Sequence, residues 1–332
     1  MIAYFMRRTL RQTVLAATLL LPTIVEAQQS KMDWSAAGKQ RLNEWTVGLA
    51  GGRTEGAPLR LAAELARVLD DGDKMRVLPM VTRGPFDNMA DLLMLKGVDA
   101  AIVFGDTLEH FDKVEQVPKV LERISYIANL APSEVHVFVR PEINSLKDLV
   151  GKPVNFNQQG TAAAYTGPLI FKKLGIKVIE KFDPHPVAMR EMRTSDKYAA
   201  TFWVTSKPID PLVKADFPPG FKLLTVPYTR ELEDLYLPAV LTSEDYPKLI
   251  AAGQKLDTVS VPTVLAVYNW QLGSERHRRM VRFVDYFVER LPTLQKPPND
   301  PLWKNVSLSA TVPGWTRYAP MQRKLDERAV KN

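Results

Sequence analysis

Gln158, Gln159, Gly160 and Thr161 sit between an extended run, residues 153–157, and a stretch, residues 161–174, that reads as a helix. A strand running through such a turn into a helix start offers backbone N–H groups with no partner inside the helix, at the positive end of its dipole. The chemistry this allows is the grip of a small anion, with the Thr161 hydroxyl as a further donor. The plain alternative is an ordinary helix cap. A second turn of this kind, Gly51, Gly52, Arg53 and Thr54, follows an apolar run at residues 45–50. Arg53 is suited to clamping a carboxylate with two parallel bonds, and Glu55 beside it either pairs with Arg53 or meets an amine on a ligand. Arg83 stands at the mouth of a third strand–helix turn. At a fourth, after residues 100–104, Gly105 and Asp106 either meet ligand or, for Asp106, cap the helix expected from Thr107. Trp203 and Thr205 close a β-rich run, where Trp203 is either an apolar wall over a ligand or packing between strand and helix.

The remaining chemistry-bearing residues exclude several function classes. His110, His136, His185 and His277 are scattered with no ligand spacing, so no metal or other cofactor is expected. No Ser lies in a Gly-x-Ser-x-Gly elbow, and with no Cys there is neither a thiol nucleophile nor a disulfide framework. The pattern points to capture, not catalysis.

The elements that position these turns alternate short apolar strands with helical patterns, the order of an α/β fold with largely parallel sheets. Helices are expected from Pro58, with Leu61, Leu65, Val68 and Leu69 on one face, over residues 86–96, over 187–193 and over 274–291. Strands are expected at 45–50, 75–81, 100–104, 124–130, 135–140, 178–182, 199–204, 222–226 and 259–268, the last interrupted by Pro262. Residues 292–301 read as a proline-rich linker. Trp303 and Trp315 then suggest a tail that docks.

The chain has 332 residues and a formal net charge of +7. Residues 1–27 read as a signal peptide, with Arg7, Arg8 and Arg11 before an apolar run that ends at Val25-Glu26-Ala27. Cleavage there removes three Arg and one Glu, lowering the net charge from +7 by two, to +5. That mild excess shows no basic run, so no nucleic-acid partner is expected. Without Cys there is no lipid-modified N-terminus, and a soluble periplasmic protein, not lipid-anchored, is the expectation.

Several segments in order carry a resemblance: VGLAGGRT at 47–54, GVDAAIVF at 97–104, VHVFVR at 135–140, SLKDLVGKPV at 145–154, AATFWVTSKP at 199–208 and VPGWTR at 312–317. Together they resemble the TAXI family, solute-binding subunits of a branch of TRAP transporters. Leu49-Ala50 stand where that family has Gly-Thr, and Pro168 departs from its pattern within the helix. The resemblance implies a two-lobed periplasmic binding protein of the type II class, with the ligand cleft between lobes joined by two crossover strands near 135–140 and 237–242. Lobe 1 would comprise 42–136 and 241–332, and lobe 2 137–240. It also implies Gly52, Arg53, Thr54, Glu55, Arg83, Gly105, Asp106, Gln158, Gln159, Gly160, Thr161, Trp203 and Thr205 around a small organic anion, a carboxylate or amino acid. The expected partners are TRAP membrane permease subunits, and a monomer is expected. A protein presenting ligand to a membrane sensor is the alternative, an exported hydrolase a more distant one.

Overall fold

A computed structural model describes residues 33–54 and 56–331. The signal-peptide expectation at 1–27 and the roles given to Glu55 lie outside the described residues. The elements are α1 (Ala36–Glu44), β1 (Thr46–Gly52), α2 (Ala57–Leu69), β2 (Arg76–Val81), α3 (Pro85–Met94), β3 (Ala100–Phe104), α4 (Thr107–Lys113), α5 (Val120–Arg123), β4 (Ile124–Val139), β5 (Pro153–Asn155), α6 (Ala162–Lys173), β6 (Ile179–Lys181), α7 (His185–Thr194), β7 (Ala200–Thr205), α8 (Asp210–Lys214), β8 (Lys222–Leu224), β9 (Leu237–Thr242), β10 (Lys255–Tyr268), α9 (Glu275–Leu294) and α10 (Ala319–Lys331). Gln40–Asn332 clusters as one unit. The other, Met1–Lys39, is described only from Asp33, whose carboxylate accepts from the Ser35 N–H at the start of α1.

Strand order is β2-β1-β3-β10-β4-β7-β5-β6, with β8 added on β4 and β9 on β10. β1 pairs in parallel with β2 and β3, and β5 in parallel with β6 and β7. The inner strands β1 and β3 are buried almost throughout, as a parallel sheet covered by helices on both faces requires, whereas β2 and β6, at the two ends of the strand order, are largely exposed. In the first lobe, α2 buries Leu61, Leu65 and Leu69 at helical spacing, and α9 buries Met280, Phe283, Phe287 and Leu291 against the same core. Met89, Leu92, Leu108 and Phe111 form the core on the opposite face. In the second lobe, Phe156, Ile170, Phe171 and Phe202 fill one core, and Met189, Met192, Tyr198 and Tyr246 another. The expected two-lobed α/β fold, with a cleft between lobes joined by two crossover strands, is present.

The crossover strands differ in part from expectation. The two strands expected at 124–130 and 135–140 are one strand, β4, which ends at Val139 and pairs with β10 in the first lobe and with β7 in the second. The second crossover is β10, not residues 237–242. Those residues form β9, which pairs with Lys255–Ser260 of β10, while Thr263–Val267 of β10 continue into the first lobe to pair with β3. Pro132 and Pro262 face each other where the two strands pass between lobes. Neither has an N–H to give the ladder, so the passage is weakly bonded without ending either strand. The proline carbonyls are engaged sideways instead: Gly105 N–H donates to Pro262 at 2.8 Å, and Ser206 Oγ to Pro132 at 3.1 Å.

Pro292 does not end α9, which runs to Leu294. The tail docks as expected. Trp303 is fully buried in the first-lobe core, and its Nε1–H donates to the Glu64 carboxylate at 2.6 Å. Glu64 also accepts from the Asp300 N–H at 2.9 Å, so one side chain of α2 holds the tail at two points. Trp303→Ala removes a fully buried aromatic side chain and should cost about 3–5 kcal/mol, read as a lower urea midpoint. A change under about 1 kcal/mol would show that the tail does not stay docked in solution.

Candidate functional site

The cleft between lobes holds a cavity of about 580 Å³. Its walls come from helix starts in both lobes: Gly56, Ala57 and Pro58 at α2, Pro85 at α3, Thr161, Ala162 and Ala163 at α6, and Pro184, His185 and Pro186 at α7. All four helices present their positive ends, because helices of a parallel sheet begin beyond the carboxyl ends of its strands. Proline occupies the first or second helical position in α2, α3 and α7. A proline there keeps the dipole but removes a donor. α6 is the exception, with Ala162 and Ala163 in that place.

Thr161 is the N-cap of α6. Its hydroxyl accepts from the Ala164 N–H at 3.4 Å and donates to the Gln158 carbonyl at 2.7 Å. The Thr161 hydroxyl proton is therefore engaged locally, and the N–H groups of Ala162 and Ala163 are the donors that the first turn leaves to the cavity. Arg53 faces this turn across the cleft, with one guanidinium nitrogen 3.3 Å from Gln158 Oε1. Among the described residues that line the cavity, Arg53 is the one with a permanently charged side chain, and no carboxylate lines it.

The second-lobe wall is aromatic. His185 stacks on Trp203 with ring centroids 3.4 Å apart and planes at 12°. His185 Nε2 donates to the Phe202 carbonyl at 3.0 Å. Burial pushes its pKa down to about 4, against a smaller upward pull from that bond, so the imidazole is neutral near pH 7. Asn157, in the left-handed region at φ 62°, accepts the His185 N–H at 3.3 Å and fixes the start of α7. Trp203 Nε1 is buried with no hydrogen-bond partner among the described residues. Pro58, Leu61, Phe104, Val204 and Leu302 add apolar surface, and Ser133, Thr205, Ser206 and Thr263 bring hydroxyls to the walls.

Of the residues singled out in the sequence, Arg53, Gln158, Thr161, Trp203 and Thr205 line the cavity. Gly52, Thr54, Arg83, Gly105, Asp106, Gln159 and Gly160 do not. Arg83 is exposed and pairs with Asp87 at 2.9 Å on the rim. Gly160 belongs to the closing contact instead. A Cβ built on Gly84 would lie 2.0 Å from the Gly160 carbonyl oxygen, so the two lobes touch there backbone to backbone. Asp106 occupies the N-cap position of α4 but makes no cap bond with its side chain, which is fully buried. It accepts from Thr166 Oγ1 at 2.7 Å and from Tyr236 OH at 3.2 Å. Sequence reasoning missed Asn157, Ala162, Ala163 and His185 as lining residues. The one signal for the first three was their position beside the Gln158–Thr161 turn.

Among the described residues no group of three or more His, Asp or Glu side chains is placed to hold a metal ion. No helix among them is long and apolar enough to cross a membrane.

Gly84→Ala tests the closing contact. The added methyl cannot share space with the Gly160 carbonyl, and Gly84 has φ +149°, which L side chains rarely adopt. The variant should hold the lobes apart, giving a larger radius of gyration in small-angle scattering with the far-UV spectrum unchanged. Superimposable scattering curves would show that the loops do not meet in solution.

No protein-family model matches the sequence, and no curated protein matches it. Solved structures do. The substrate binding protein of an amino acid ABC transporter is 13% identical over 75% of this chain and 94% of its own, with a TM-score of 0.45. An ancestral arginine-binding protein bound to arginine is 16% identical over 74% of this chain and 92% of its own, with a TM-score of 0.39. A TctC solute binding protein from Polaromonas is 13% identical over 75% of this chain and 88% of its own, with a TM-score of 0.40. The likeness to all three is one of fold alone.

Proposed function

We propose that the chain is a periplasmic binding receptor that captures a small organic anion, with an apolar body, between its two lobes. The observation that carries this reading is the composition of the cleft. Four helix starts face it, three of them with proline in the first turn, and the fourth offers free N–H groups opposite Arg53. Such a cleft stabilises one anionic group at α6 and gives the rest of the ligand apolar walls, Trp203 among them. Closure excludes water and strengthens the charge-assisted bonds to the anion. The volume of about 580 Å³ is within the range of small-molecule sites.

Capture is favoured over turnover because the histidine in the wall is neutral, bonded to a carbonyl and stacked, with no nucleophile hydrogen-bonded to it among the described residues. In this reading residues 1–27 direct export, lobe 1 ends near 136 and resumes in the later part of the chain, and the loaded protein delivers its anion to a TRAP-type permease of the kind served by the TAXI family.

The test is thermal unfolding against aryl and branched-alkyl monocarboxylates, dicarboxylates, amino acids and neutral sugars. Monocarboxylates should raise the midpoint by an amount that grows as RT ln(1 + [L]/Kd). Shifts confined to sugars would contradict the anion site. Ala162→Pro then removes one donor at a helical position that tolerates proline. Losing one charge-assisted bond should weaken binding of the active carboxylate by roughly 10- to 100-fold, with the ligand-free midpoint unchanged. Unchanged affinity would remove α6 from the site.

A further inference from the structure

Asp106, which does not line the cavity, is fully buried between the lobes. It follows β3 in the first lobe, and its carboxyl group is fully buried. Its two donors come from the second lobe, Thr166 of α6 and Tyr236 in the segment before β9. Both donate to the same oxygen, Oδ2. Oδ1 is buried with no donor among the described residues. Tyr165, also on α6, donates to the Asp106 carbonyl at 3.3 Å, and its ring packs against Phe86 and His110 of the first lobe. Opening the lobes would pull Thr166 and Tyr236 away and admit water to the carboxyl group.

We propose that Asp106 is a proton site that couples closure to proton uptake: the lobes close over it as a neutral acid and part as it ionises. An ionised carboxylate in the closed state would leave charge on an oxygen that is buried without a donor among the described residues. The charged groups around it do not change that. Glu109, on α4, is negative and is itself paired with Lys113 at 3.2 Å and with Lys173 of α6 at 3.8 Å. The facing groups on α6 and before β9, Tyr165 and Tyr236, are neutral phenols held above their ordinary pKa by burial. His110, against the edge of Tyr165, is the second titratable group on this face and bonds Glu115 at 3.1 Å.

Burial first, then the nearby Glu109 charge, raises the Asp106 pKa to about 6, against the downward pull of the Thr166 and Tyr236 hydrogen bonds. In the open state the group returns towards its ordinary value of 3.8. A carboxyl whose pKa is higher in the closed state favours closure when protonated. The closing constant should therefore fall about tenfold per pH unit between roughly pH 4 and 6, about a hundredfold in all, and level off above pH 7.

The proposal rests on the clamp reading, so the test reads lobe separation without any ligand. The chain has no native Cys, so Lys96→Cys and Lys147→Cys can be spin-labelled without background. Pulsed dipolar distances are then recorded from pH 4.5 to 8. The wild-type background should lose short-distance population as pH rises from 4.5 to about 6, with little further change above pH 7. Asp106→Asn should keep a constant distribution, which separates Asp106 from His110. Thr166→Val removes a donor to the carboxylate and should move the midpoint up. A pH-independent wild-type distribution, or the same pH dependence in Asp106→Asn, would overturn the proposal. If Gly84→Ala lengthens the distance while pH does not, the proton coupling alone fails. If no variant and no pH alters it, the clamp reading fails with it.

Discussion

The seating of α6 is the constraint on which the rest of the molecule depends. Its first turn gives the cavity its unblocked N–H groups. Its second turn gives Tyr165 and Thr166 to the first lobe. Its inner flank, with Ala163, Ile170 and Phe171, belongs to the second-lobe core. One rigid rod thus serves three surfaces, and a displacement that improves one disturbs the others. Gly167 permits the close seating: a Cβ there would lie 2.2 Å from Phe156 Cδ1. Pro168 lies inside the helix without ending it, so one backbone bond is missing next to the residue that needs the closest approach.

Proline shapes the cleft in a second way. Three helix starts that line the cavity carry it in their first turn, and a fourth, shorter helix, α8, brings Pro211. Each ring replaces a donor with apolar surface while leaving the helix dipole in place. The cleft thus has positive helix ends and a mostly apolar lining, with its unblocked helix-start N–H groups at α6 and hydroxyls of Ser133, Thr205, Ser206 and Thr263 elsewhere on the walls. On the receptor reading proposed above, that combination would favour an anion with an apolar body over a ligand that is polar throughout.

How much of this was legible in the sequence follows from the range of the signal. β3 has the expected bounds, because a short apolar run between turn residues has few alternatives. The core face of α2 followed from local periodicity, and the cap at Thr161, given in the sequence only as the plain alternative to an anion grip, is present. The tail was readable because two tryptophans are seldom left in water. The crossover was misread, since Pro132 and Pro262 each look like strand breakers alone. They are tolerated because they face each other across the ladder. Asp106 was equally illegible: its local context is that of a helix cap, and only tertiary structure brings Thr166 and Tyr236 to its carboxyl group. Arg83 looked like Arg53 from its position in a strand–helix turn, but Asp87 one helical turn on holds it at the rim.

Anion capture at the start of α6 is what a direct measurement has to decide. The most direct measurement is a nitrogen-15 NMR titration of the uniformly labelled protein with the carboxylate that most stabilises it. The account predicts that the backbone amide protons of Ala162 and Ala163 move downfield together, saturating with the same dissociation constant as the Arg53 side-chain resonances. Saturable shifts that leave Ala162 and Ala163 unmoved, or that cluster away from the cleft, would contradict it.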